Sequence, residues 1–105
     1  SLPVMTLNPS LEQILHNVLQ QNSSSQDLVI EPKLAEGLIK ALAENSQAVE
    51  NQGDAAVLVV SPAIRPWLAK FIRHRLSELT VLSYSEIPDD QTIKVVATID
   101  VDTTI

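Results

Sequence analysis

Apolar residues recur along this chain in two rhythms, and the switches between them mark out its elements. Val4 to Leu7 is a short apolar run of strand length. Asn8-Pro9 then supplies a helix start, since an asparagine side chain accepts from free N–H groups and proline fits a first turn. Leu11, Ile14, Leu15, Val18 and Leu19 follow at i, i+3, i+4, i+7 and i+8, one buried stripe of an amphipathic helix. The polar run 21–26 ends it. Leu28-Val29-Ile30 reads as a second strand, closed by Glu31-Pro32. Leu34, Leu38, Ile39 and Leu42, with Ala35, Ala41 and Ala43, form the next helical face. The pattern thins after Asn45, yet nothing breaks the helix before Gly53, so it is expected to run to about Gln52 with Gly53 as its C-terminal cap.

Ala56 to Val60 is apolar at every position, the mark of a central strand covered on both sides. Ser61-Pro62 opens a third helix through an irregular turn at 62–65, because Pro66 removes a donor one turn further in. Ile64, Trp67, Leu68, Phe71, Ile72 and Leu76 line its predicted buried face. A fourth strand is expected over Leu79–Ile87. Ile93, Val95, Ala97, Ile99 and Val101 alternate with Lys94, Thr98 and Asp100 in a fifth. The short Pro88-Asp89-Asp90-Gln91 connection between them implies an antiparallel C-terminal hairpin. The order β-α-β-α-β-α-β-β predicts a single compact α/β domain over residues 1–105 with a mostly parallel sheet.

Composition supports an ordinary folded domain: 105 residues, 45% hydrophobic and 19% charged. The longest apolar run, Ala55 to Val60, is far short of the ~20 residues that cross a bilayer. The N-terminus lacks the order of a signal peptide, and Ser1-Leu2 reads as a remnant placed ahead of the natural sequence. With no cysteine, disulfides and thiolate metal sites are excluded. Seven basic against 13 acidic residues give a net charge of −6, which argues against nucleic acid as a partner. The acid excess lies in residues 1–54, where Lys33 and Lys40 face seven acids; Lys70, Arg73 and Arg75 crowd into one short stretch beside His74.

The residue patterns of enzymes are nearly absent. Two glycines, Gly37 and Gly53, cannot build a dinucleotide or phosphate loop, and Gly37 within a helix points to close packing. His16 and His74 sit on different helices without an acid cluster, and Asp89-Asp90 reads as a turn. Ser61, Ser83 and Ser85 have no base at readable spacing, so no nucleophile is assigned. No catalytic residue, metal or cofactor is expected. Lys70, Arg73 and His74 span an arc of about 100° opposite Leu68 and Ile72, while Arg75 falls within the apolar arc. Two readings stay open for this basic segment: a solvated helix end favoured by the macrodipole, or a docking surface for an acidic partner with Arg65 as an outlying member. Tyr84 reads as an amphipathic packing residue or a recognition contact. Arg65, Lys70, Arg73, His74 and Tyr84 are therefore the candidate partner-binding residues.

Val57-Leu58-Val59-Val60-Ser61-Pro62-Ala63-Ile64-Arg65-Pro66, followed by Val81-Leu82-Ser83-Tyr84-Ser85-Glu86-Ile87-Pro88, resembles the C-terminal end of the type III export-gate family. The segments Leu7 to Glu12 and Ile30 to Ala35 are similar to that family's strand-to-helix junctions. The resemblance implies the last cytoplasmic subdomain of a much longer membrane protein, whose cytoplasmic parts form a homo-oligomeric ring at the inner membrane. It implies a non-enzymatic role in receiving and ordering export substrates and chaperones, with other export-apparatus proteins as partners. Contact with the membrane would come only through the N-terminal region of that longer protein. The Ile87-Pro88-Asp89-Asp90 turn and the strand after it resemble the flagellar branch; the injectisome branch and a free-standing adaptor are the alternatives.

Overall fold

A computed structural model describes residues 2–21 and 32–101. The described elements are β1 (Leu2–Leu7), α1 (Pro9–Gln21), α2 (Pro32–Asn51), β2 (Val57–Val60), α3 (Arg65–Ile72), β3 (Thr80–Ser83) and β4 (Ile93–Ile99), with a 3₁₀ turn at Tyr84–Glu86. The expected strand at Leu28–Ile30 and the tail after Val101 lie outside the described residues. The four strands form one sheet in the order β3-β2-β1-β4, and every neighbouring pair is parallel.

α1 begins as its sequence dictates: the Ser10 amide donates to Asn8 Oδ1 at 2.9 Å, and the Glu12 amide to the Asn8 carbonyl at 2.9 Å. α2 keeps its buried stripe beyond Asn45 through Leu38, Leu42, Ser46 and Val49, a serine standing where an apolar residue is expected. It ends in a Schellman cap, with Gly53 N–H on the Glu50 carbonyl, Asp54 N–H on the Val49 carbonyl, and Gly53 at φ 90°. Gly37 permits close approach to the sheet: a Cβ there would stand 2.6 Å from Val101 Cγ1.

The two faces of the sheet are sealed differently. Met5, Leu7, Leu58, Val60, Val81 and Ile99 pack with Leu11, Leu15, Leu38, Leu42 and Leu68 of the three helices, forming the main core. Each fully buried aliphatic side chain in it contributes about 1.5–3 kcal/mol. Val4, Val57 and Val59 point the other way and pack with Leu2, Leu82, Ile87 and Ile93. All four residues of β2 are buried, as expected for a strand covered on both sides.

The C-terminal hairpin is not formed. β4 lies parallel to β1 at the far edge from β3, with Leu2 opposite Ile93 and Leu7 opposite Ile99. The strand expected over Leu79–Ile87 stops at Ser83, because the Glu86 carboxylate accepts the Ser83 amide at 3.0 Å and turns the chain into the 3₁₀ turn. Residues 84–92 then travel back past β2 and β1. The steps β1 to β2 and β2 to β3 move in one direction with their helices on the main-core face. A return step keeps the same handedness only by crossing the opposite face. Ile87 packs on that second face, beside Val57 and Val59.

A register shift in the β1–β4 ladder makes a second correction. Val4 pairs with Val95 and Met5 with Ala97, so Val96 is an inserted residue. The bulge reverses the side-chain parity: Ile93 joins the second face, Ala97, Ile99 and Val101 the main core. Val95 and Val96 are left 51% and 39% exposed, so the expected single apolar face does not exist.

Candidate interaction site at the carboxyl ends of the strands

In parallel α/β sheets the loops beyond the carboxyl ends of the strands gather the functional groups. Here the turn after β2 and the turn after β3 meet. The amides of Ile64 and Arg65 both donate to the Ser61 carbonyl at 3.1 Å, and this irregular turn, expected from Pro66, places Arg65 at the head of α3. On the other side Ser83 Oγ and Ser85 Oγ share a hydrogen bond of 2.8 Å. Arg65 Nε lies 2.9 Å from Glu86 Oε1, joining the two turns by an ion pair whose partners are each 39% exposed. Arg65 Nε–H does not point along this contact, so the attraction is ionic more than hydrogen-bonded. The Ser83 amide, chiefly, holds the Glu86 carboxyl below its ordinary pKa; desolvation opposes it, and the Ser83 hydroxyl and then the Arg65 charge add smaller lowering effects.

Tyr84 crosses this corner with 46% of its surface exposed. Burial of part of its ring, then the charge of Glu12, raises the phenol above its usual pKa. Beside it, Pro9, Glu12, His16, Ser61, Pro62 and Ala63 line a cleft of about 430 Å³. Glu12 Oε2 and Ser61 Oγ are sealed from solvent without a hydrogen-bond partner. His16 is engaged by the Gln20 amide at 3.1 Å, so it stands apart from both. Among the described residues no three potential metal ligands converge. The corner offers charge, a phenol and a shallow cleft, which suits recognition by contact.

The structure divides the candidate residues into two groups. Arg65 and Tyr84 belong to this corner. Lys70, Arg73 and His74 are exposed at the other end of α3, which is about 12 Å long. The regular helix ends at Ile72, and the Arg73 and Arg75 amides turn back to carbonyls three residues earlier. Arg73 keeps helical dihedrals as the cap residue, and the turn tightens beyond it. Arg75, expected within the apolar arc, is instead exposed, because the tightened turn swings it off the packed face. Glu86, Glu12 and Ser61 were not singled out as contacts from sequence. The Ser83-Tyr84-Ser85-Glu86 spacing is a capping-box pattern that announces Glu86; nothing in the sequence announces that Glu12 meets Tyr84.

The flagellar biosynthesis protein FlhA of Buchnera aphidicola is 38% identical over 96 residues, covering 89% of this chain and 13% of its own length. FlhA of Yersinia enterocolitica is 36% identical over 100 residues, covering 95% of this chain and 14% of its own. The chain thus spans about one-seventh of these relatives. Among solved structures, the nonameric SctV-C of EPEC superposes with a TM-score of 0.74 at 26% identity, over 93% of this chain and 29% of that one. MxiA of Shigella flexneri superposes with a TM-score of 0.72 at 26% identity, over 93% and 30%. Both motifs that meet at the Arg65–Glu86 corner fall within residues 1–92, the stretch that matches the FHIPEP family, and this chain belongs to that family.

Proposed function

We propose that this chain is an interaction subdomain of a type III protein export gate of the flagellar branch. In this reading it lies at the cytoplasmic face of the inner membrane, attached through the remainder of a longer polypeptide. It works without covalent chemistry, helping a homo-oligomeric ring to receive and order export substrates and their chaperones. The observation that carries the reading is the joining of Ser61–Pro66 to Ser83–Pro88 by the Arg65–Glu86 pair, within a chain of the FHIPEP family. The identities of 36% and 38% to proteins named as flagellar favour that branch, and the nonameric SctV-C supports a ring. No described helix is long and apolar enough to span a membrane, so attachment would come from elsewhere in the polypeptide.

The corner and the basic end of α3 act as contact surfaces in this reading. Reversing charge at Lys70 and Arg73, or replacing Arg65 and Tyr84 together by alanine, in the full-length gate should reduce secretion of flagellar subunits. The K70E/R73E change should leave the melting temperature of the isolated chain within about 2 °C, because surface changes rarely exceed ~0.5 kcal/mol. Normal secretion and motility with both variants would refute the assignment of these residues.

A further inference from the structure

The chain holds three aromatic side chains, Trp67, Phe71 and Tyr84, and none of them joins the buried core, which is aliphatic among the described residues. Trp67 and Phe71, expected on the buried face of α3, are only half-buried; of that face Ile64, Leu68 and Ile72 are sealed. The two rings stack, with centroids 5.0 Å apart and 16° between their planes. Standing at i and i+4, they form a ridge along one side of the helix, with Lys70 beside it at i+3 from Trp67. Residues 65–75 carry four of the seven basic residues and no acid. Arg65 is held by Glu86, whereas Lys70, Arg73 and Arg75 are exposed and form no ion pair among the described residues. The macrodipole accounts for cations at the end of α3, but not for a partly exposed aromatic pair beside them.

We propose that the Trp67–Phe71 ridge and the cations beside it dock an acidic amphipathic helix of a protein partner. This rests on the contact role given above to the basic end of α3 and names what that surface takes. A ridge along an i, i+4 row fits between the side-chain rows of a second helix, so aliphatic residues of the partner straddle the two rings. The stack already holds both rings in place, so little side-chain freedom is left to lose on binding. Aromatic anchors of this kind carry most of the energy of a protein contact. Lys70 and Arg73 meet carboxylates spaced one turn apart on the partner. Arg75 lines the cleft shared with Glu50 and Glu78 and lies outside the contact. Charge selects the occupant. Within a chain of net charge −6 this stretch attracts acids locally, while the remainder repels an extended anionic surface such as a membrane.

Trp67 is the only tryptophan, so its fluorescence reports on this surface directly. The test titrates the 105-residue chain with a stapled helical peptide of about 18 residues, with leucine on one face and glutamate on the other. A saturable blue shift of the Trp67 emission is expected. The same peptide with lysine for glutamate, or with alanine for leucine, should give none, and neither should phosphatidylserine vesicles. K70E/R73E should weaken the glutamate peptide about tenfold, as should Phe71→Ala. Lys94→Glu, a charge reversal on β4, should leave the affinity within about twofold. Melting followed by circular dichroism checks that each variant is folded, and the surface change K70E/R73E decides the matter if Phe71→Ala is not. Absence of a saturable shift, equal binding of the lysine or alanine peptide, a shift with the vesicles, or equal weakening by Lys94→Glu would each overturn the proposal. Lost secretion from the full-length K70E/R73E gate without peptide binding would refute this partner alone; peptide binding with normal secretion would refute the export role alone.

Discussion

Replacing Ile87 by alanine tests whether residues 84–92 seal the second face of the sheet. Ile87 is partly buried and packs with Val4, Val57 and Val59. Ile→Ala removes three carbons, worth about 2.4 kcal/mol at ~0.8 kcal/mol for each buried methylene. Partial exposure lowers that figure, while the void left over the valines raises it, since fully buried cases reach about 2–5 kcal/mol. A loss of about 2 kcal/mol is therefore expected. With a urea slope of about 1.5 kcal/mol/M, the unfolding midpoint should fall by about 1.3 M. Val95→Ala supplies the control: its side chain is 51% exposed on the bulged edge, so a change within about 0.5 kcal/mol is expected. The measurement is urea unfolding followed by far-UV circular dichroism, with an unchanged slope required before midpoints are compared. Equal, small shifts for the two variants would refute the claim that the returning segment is a packed layer of the fold.

Gly37→Ala sets helix propensity against a steric clash. Alanine gains about 1 kcal/mol in a helix interior, but its Cβ would lie 2.6 Å from Val101 Cγ1. The single variant should lose about 1 kcal/mol, and the double variant with Val101→Ala should show a favourable coupling of at least about 1 kcal/mol in a urea double-mutant cycle. Gly53→Ala places a Cβ at φ 90° and should destabilise the α2 terminus by about 1 kcal/mol, read by the same unfolding. The Glu86 carboxyl titrates lower in the folded than in the unfolded chain, so its stabilisation is present above the unfolded pKa and lost as pH falls through the folded one. Melting temperature followed from pH 6 down to about pH 3 should therefore drop more for the unaltered chain than for Glu86→Gln.

Helix starts and the central strand were legible in the sequence because short-range chemistry decides them. Asn8-Pro9, the stripe from Leu11 to Leu19 and the all-apolar run to Val60 each report their own local environment. The last third was misread for a definite reason. Four turn-forming residues after a presumed long strand resemble a hairpin, and no local rule says that the chain must cross the sheet instead. The choice is made by non-local terms: the handedness of parallel connections and the need to cover Val4, Val57 and Val59. The bulge at Val96 left a mark in the sequence, since Val95-Val96-Ala97 interrupts the alternation, but a single apolar residue out of phase does not distinguish an inserted residue from an exposed valine. In the candidate site, the irregular turn before Pro66 was readable, whereas the meeting of Arg65 with Glu86 depended on where β3 ends.

The placement of β1 has a consequence for how the domain is made. The earliest of these four strands in the chain stands inside the sheet, between one partner that begins at Val57 and another that begins at Ile93. Until residues 93–99 emerge, one edge of β1 has no partner and Val4 is left uncovered by the returning segment. Assembly is thus governed by contacts between residues about ninety positions apart, and such long-range closure is slow compared with helix formation. During translation one edge of β1 must remain unpaired while nearly the whole domain is synthesised, a window in which that edge is open to wrong partners.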